Sequence, residues 1–463
     1  MKRTALIDGL TVACLLLASS PFFAFAQEDA PAAQGSSAAA QTAADGGAQI
    51  GKDAQKSDSE KKPAASSVKS RKDKSDVVIS GRKRFILKQD ASLGQNKALP
   101  APLPWEGKGP DVPHEFVGRE IADYRTKSGG KYILEDEFGV LRIVPGDALE
   151  AIEDGPDTTL GELREKMQKS LLEEFGDGFS TKVSDGYIFV YDASDGYAEW
   201  CMRLFDSLTD GFAEYASHNG YELTDRVEPM VVVIFATKSE FVRYAAKETP
   251  VPESIAAYYN METNRVALYD LSETEGTEYA ATRRRRTYLE TKEFLSRPNA
   301  AFNVATIVHE ATHQIAFNRG LFHRTGPMAL WAVEGLSLVF ETPNGKASQG
   351  GWGYRGSFRT NERQLKLFND FASRTTQKDP LRELVREEKF MADPQGSYAL
   401  SWALFYYLYK KRPKELAAYI KDVTSRPPFS VYSPEDRVAD FEKHFGDDWE
   451  KLTESLIRFV RRL

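Results

Sequence analysis

Cysteine is nearly absent from this chain of 463 residues: there are two, so no disulfide framework can hold the fold, which must stand on an apolar core. One of them, Cys14, falls in an N-terminal stretch with the marks of a removable signal, which leaves Cys201 alone. A surplus of one charge sign is also missing. With 61 Lys+Arg against 68 Asp+Glu the formal net charge is -7, no dense basic face is implied, and nucleic acid is set aside as a partner. Long apolar runs are scarce as well. Downstream of the N-terminus the most apolar stretch, Met230 to Phe235, is only strand length, whereas a bilayer span needs about 20 residues. Histidine is rare, at 6 residues, which gives weight to any two at a meaningful spacing. What remains, 41% hydrophobic and 28% charged, is ordinary globular composition and excludes wholly disordered, collagen-like or coiled-coil chains.

The N-terminus points to export. Met1-Lys2-Arg3 is a cationic start, Gly9 to Ser19 is apolar, and Ala24-Phe25-Ala26 offers a small-x-small cleavage pattern, so Met1 to Ala26 reads as a secretory signal. The destination is then periplasm, cell surface or medium, with no transmembrane segment after signal removal. A lipoprotein signal ending at Cys14 is the alternative, but Thr11-Val12-Ala13 lacks the usual leucine three positions upstream. Residues 27–98 read as a disordered spacer and lead-in. From Gln27 to Asp76 the large aliphatics are Ile50 and Val68 and there is no aromatic, too little apolar surface to offset ordering entropy. Val77 to Glu106 regains some apolar residues but is cut by Pro100, Pro102 and Pro104, and reads as a partly ordered lead-in.

Residues 99–157 are expected to form a small β-rich module. Tyr132-Ile133-Leu134 and Val140 to Val144 are short apolar runs set off by Gly129-Gly130 and Phe138-Gly139, a hairpin pattern. An extension of the main domain's own sheet is equally open. Residues 158–463 read as one α+β domain. It opens on a helix with Thr159 and Glu162 at capping-box spacing, and Tyr187 to Tyr191 and Met230 to Phe235 read as strands. Tyr197 to Ser217 and Ser239 to Lys247 read as helices, and Asn264 to Asp270 as a half-buried strand. Beyond Asn299 the pattern is almost entirely helical.

His309-Glu310-Ala311-Thr312-His313 lies inside the helical pattern Ala300 to Asn318, with Asn299 as the expected N-cap and Gly320 as the stop. Positions four apart return to nearly one face, so both imidazoles can aim at one cation while Glu310 sits beside it. Chance placement on a surface helix is the bland alternative, disfavoured by the scarcity of histidine. A third ligand is sought among His323, Glu334 and Glu341. The position six beyond His313 is Arg319, which excludes a three-histidine site. Glu334 is favoured, because it lies in the apolar stretch Trp331 to Glu341, where an unpartnered carboxylate is costly and Zn²⁺ would be a partner. Two histidines and a glutamate leave a fourth tetrahedral position for water, as a catalytic zinc site requires.

His309 to Gln314 followed by Trp331-Ala332-Val333-Glu334-Gly335 resembles the gluzincin pattern of clan MA metallopeptidases, and is similar to the peptidase-MA-like domains of bacterial exported proteins. The resemblance implies a zincin-like catalytic domain, a mixed sheet followed by a helical half. It implies His309, His313 and Glu334 as zinc ligands and Glu310 as general base of a protease, expected to act as an endopeptidase because no amine-recognition tripeptide is recognisable. Ser337 replaces the usual alanine, and Leu338 stands where thermolysin-type members carry an orienting aspartate. By the same resemblance a later tyrosine or histidine stabilises the oxyanion, and Tyr398 is the residue chosen, against the alternative that it belongs to an aromatic core helix with Phe405, Tyr406, Tyr407 and Tyr409.

Glu310 is therefore expected to accept a proton from water and return it to the leaving amine, with a peptide or protein as substrate. The strand Asn264 to Asp270 is the expected sheet edge that aligns an extended peptide. Arg283 to Arg286 reads as a solvated charged segment, and Cys201 as a small core residue. The second functional class is a non-catalytic peptide- or cell-envelope-binding protein that keeps the fold, which retention of Glu310 disfavours. Hydrolysis of a non-peptide amide is a third.

Overall fold

The structure is a computed structural model that describes residues 75–88, 115–124, 131–248, 255–272, 286–297, 300–342, 351–376, 378–428 and 430–463. The expected signal, the spacer up to residue 74, Pro100, Pro102, Pro104, Gly129-Gly130, Arg283 to Arg285 and the expected cap Asn299 lie outside the described residues.

Short alternating runs build the first unit: β1 (Val78–Ile79), β2 (Lys83–Leu87), β3 (Glu115–Tyr124), β4 (Lys131–Asp136), β5 (Leu141–Pro145), β6 (Leu149–Asp154) and β7 (Thr158–Thr159). β2 to β6 form a five-stranded antiparallel sheet in the order β5-β4-β3-β2-β6, and β1 pairs with β7. This sheet has its own core of Phe85, Leu87, Phe116, Leu134, Val144 and Ala148, with the Phe85 and Phe116 rings stacked at 5.3 Å. It is thus a separate sheet, not an extension of the main one. The lead-in contributes more than expected: Phe85 and Leu87 alternate with more exposed neighbours, and that face needs cover, so β2 sits between β3 and β6.

The larger unit begins with α1 (Leu160–Phe175), whose capping box between Thr159 and Glu162 is formed as expected. It continues through β8 (Ser180–Val183), β9 (Tyr187–Tyr191), α2 (Asp195–Asn219), β10 (Met230–Phe235), α3 (Lys238–Glu248), β11 (Ala257–Asn260) and β12 (Arg265–Tyr269). Their sheet has the order β11-β12-β10-β9-β8; the three middle strands are parallel and both edges antiparallel. β10, Met-Val-Val-Val-Ile-Phe, is buried along its whole length, as a parallel strand covered on both faces must be.

Two expectations change at β12. Arg265 to Leu268 are buried on both faces rather than half buried, because α3 lies against this strand and so does the later helix carrying the histidines. The edge is β11, not β12. A turn through Met261 to Asn264, with Asn264 at φ 59°, folds Ala257–Asn260 back antiparallel on β12 and takes the outer place.

The C-terminal half is helical: α4 (Tyr288–Leu295), α5 (Ala301–Asn318), α6 (Leu330–Phe340), α7 (Glu362–Arg374), α8 (Pro380–Arg386), α9 (Pro394–Lys411), α10 (Pro413–Thr424), α11 (Pro434–Phe445) and α12 (Trp449–Val460). α5 starts after Ala300, which makes no side-chain cap bond, and ends at Arg319, followed by Gly320 at φ 75°. α6 and α9 approach closely at Gly335, where a Cβ would stand 2.6 Å from Phe405 Cβ and 2.6 Å from the Ser401 carbonyl oxygen. Among the described residues no helix is long and apolar enough to cross a membrane.

Candidate metal centre

α5 is buried almost continuously from Val304 to Asn318, so its polar residues must find partners inside the protein. Gln314 Nε2 donates to the carbonyls of Val231 (3.0 Å) and Asn264 (2.9 Å), which ties the helix to β10 and to the β11–β12 turn. Asn318 adds a side-chain bond to Asn264 at 2.7 Å. These ties set the helix rotation, and with it the direction of His309 and His313.

α6 then brings Glu334 between the two imidazoles. Glu334 Oε2 lies 3.2 Å from His309 Nε2 and 3.6 Å from His313 Nε2, and all three side chains are buried. A tetrahedral ion with donors at about 2.0–2.1 Å holds them about 3.3 Å apart, so the spacing fits a single small cation. His313 Nε2 is buried with no hydrogen-bond partner, a cost that coordination would remove. Two imidazoles and a carboxylate form a donor set suited to zinc.

The opposite ring nitrogens are held too. His309 Nδ1 lies 3.1 Å from Glu341 Oε1, and Glu341 Oε2 accepts from Asn361 Nδ2 at 2.9 Å. His313 Nδ1 lies 3.1 Å from Ser337 Oγ. With a cation bound, donation from each Nδ1 would leave the Nε2 lone pair for the ion, the tautomer a metal site needs. The sequence reading missed this role of Glu341, weighing it only as a ligand, and looked for the orienting carboxylate at Leu338. A signal does exist: Glu341 is seven residues past Glu334, two helical turns along one face. Asn361, far away in sequence, carried none.

Burial alone would raise the Glu334 carboxyl, but His313 and His309 outweigh it and hold it down to about 2. Burial would lower His309, yet its hydrogen bonds to Glu334 and Glu341 carry it up to about 10, while burial takes His313 below the usual imidazole value. The cluster of carboxylates thus favours positive charge at this point. Burial pushes Glu310 up to about 8. Its Oε2 accepts the backbone N–H of Tyr259 on β11 at 2.9 Å. A cation among these groups would draw Glu310 back toward its ionised form.

Tyr398 sits on α9, 1% exposed, with its ring edge-on to Phe390 at 5.7 Å. His323 lies in the segment between α5 and α6 and contributes no atom to the cluster. Cys201 is a free, buried residue of α2, as expected of a core position.

Residues 303–430 match the model of a family described as "Protein of unknown function (DUF1570)". The match runs from α5 to the segment after α10, includes His309, Glu310, His313, Glu334, Glu341 and Tyr398, and leaves both five-stranded sheets outside. No curated protein matches the chain.

Proposed function

We propose that the chain is an exported zinc-dependent metalloprotease of gluzincin type, with a zincin-like catalytic domain over residues 158–463. The observation that carries this reading is the convergence of His309 Nε2, His313 Nε2 and Glu334 Oε2 beside a buried Glu310. The mixed sheet with an antiparallel edge strand next to the histidine helix supports the fold assignment. Export rests on the pattern Met1 to Ala26.

His309, His313 and Glu334 would hold the ion, with Glu341 and Ser337 fixing the two rings. When bound, zinc supplies a Lewis acid for the scissile carbonyl and acidifies water to a pKa of about 7. Glu310 accepts the proton of the attacking water and hands it to the leaving nitrogen. The Tyr259 N–H steadies one Glu310 oxygen, so the other is left for the proton. Tyr259 donates away from β12, and an extended substrate would align with this outer rim of β11, not with Arg265–Tyr269 as the sequence suggested. Tyr398 is the residue to test as oxyanion donor.

The test is cleavage of casein or a quenched peptide library, read by mass spectrometry, with wild type and Glu310→Gln at matched zinc content. Loss of at least about 100-fold in the variant is expected. Equal signals, or none from zinc-loaded wild type, would instead favour the non-catalytic binding protein.

A further inference from the structure

The segment between α5 and α6 links the two histidines to Glu334, and its middle is anchored by one residue. Arg324 is buried at 8% exposure. Its Nη1 donates to the carbonyls of Gly139 and Met261, both at 2.9 Å, and its Nη2 to Glu135 Oε1 at 2.7 Å. Glu135 is on β4 and Gly139 in the β4–β5 turn, both in the N-terminal sheet, while Met261 is in the β11–β12 turn. A single guanidinium therefore joins the N-terminal sheet, the edge hairpin and the connection between the proposed ligands.

A second set of contacts runs alongside. The Leu141 N–H donates to the Glu262 carbonyl at 2.9 Å, and Arg226 Nη1 donates to the same Glu135 oxygen at 3.1 Å. Gly139 has φ +82°, and a Cβ there would lie 3.0 Å from Asn264 Nδ2 and 3.1 Å from Arg226 Nη2, so the two turns are in close contact. Asn264 in turn bonds Tyr259 Oη and Asn318, at the end of the histidine helix. Arg324 satisfies two buried carbonyls and shares the Glu135 carboxylate with Arg226 and Arg119, and because a guanidinium fixes several bonds in one plane the result is a rigid joint.

From this we infer that Arg324 and Glu135 are positioning residues of the zinc site and that the N-terminal sheet is a working part of the catalytic unit. The inference rests on the metallopeptidase reading. It implies reciprocal coupling: zinc must tighten the joint as the joint tightens the zinc site.

Zinc affinity of the full chain, measured by competition with a chromophoric chelator, tests it in wild type, Glu135→Gln, Arg324→Lys and Asp440→Asn. Asp440 pairs with Arg426 in the C-terminal helices and serves as a control for general destabilisation. Glu135→Gln and Arg324→Lys should each weaken zinc binding by about 5-fold or more, the low end of a coupling between linked sites, with Asp440→Asn at the wild-type value. Wild-type affinity in both joint variants would overturn the inference and leave the metallopeptidase reading standing, as would an equal loss in Asp440→Asn. Hydrogen exchange of the wild type needs no variant: zinc loading should slow exchange in the peptide spanning 135–141, and unchanged exchange there would equally overturn it. No zinc uptake by the wild type would remove the reading itself, and this inference with it.

Discussion

Glu341 Oε1 lies 3.1 Å from His309 Nδ1, on the far side of a ring whose Nε2 is 3.2 Å from Glu334. One imidazole is thus held between two carboxylates from the same helical segment, one at each ring nitrogen. This makes the Nδ1 contact a distinct target, because it can be removed without deleting a proposed ligand.

Glu341→Gln keeps the shape but removes the charge behind His309, and because the two bonds use different oxygens its single amide oxygen can accept from Asn361 or from His309 but not from both. Zinc affinity should fall by about 10–100-fold, with the fold retained, as measured by chelator competition and far-UV circular dichroism. Unchanged affinity would place Glu341 outside the proposed site's function.

Tyr398→Phe deletes one hydroxyl and keeps the ring against Phe390. If the hydroxyl stabilises the oxyanion, kcat should drop by about 100-fold or more with KM near wild type. A wild-type kcat would assign Tyr398 to packing alone.

Gly335→Ala places a methyl against Phe405 and the Ser401 carbonyl at the tightest point of the α6–α9 contact. Destabilisation of about 1–3 kcal/mol is expected in urea unfolding, together with weaker zinc retention because Glu334 is the adjacent residue.

Glu135 gives a pH dependence. Burial would raise its carboxyl, but the guanidiniums of Arg226, Arg324 and Arg119 prevail and hold it at about 2, below its ordinary 4.5. A depressed folded value means that the unfolded chain binds the proton more readily. The stabilisation is therefore full above about 4.5 and lost as pH falls toward 2, amounting to no more than about 3 kcal/mol. Urea midpoints from pH 7 to pH 3 should fall for wild type, and the gap from Glu135→Gln should narrow over the same range.

The elements best read from sequence were those with strong local signals. The Thr159–Glu162 capping box and the apolar run Met230–Phe235 each encode their structure within a few residues. The misread places depend on what lies alongside. Ala257–Asn260 is a four-residue strand whose edge position follows from the turn at Asn264, and Lys83–Leu87 joins its sheet through partners more than twenty residues away. Short strands carry little information about their neighbours.

His309, Glu310 and His313 were determined by sequence alone, because four residues of α-helix return a side chain to the same face whatever surrounds it. Tertiary structure alone decided that Glu334 reaches both Nε2 atoms, that Glu341 and Ser337 hold the opposite nitrogens, and that the Tyr259 amide meets Glu310. It also decided that a guanidinium from the intervening segment docks on a separate sheet. These contacts join segments brought together by packing and loop closure, and no helical or strand period in the chain specifies the distance between them.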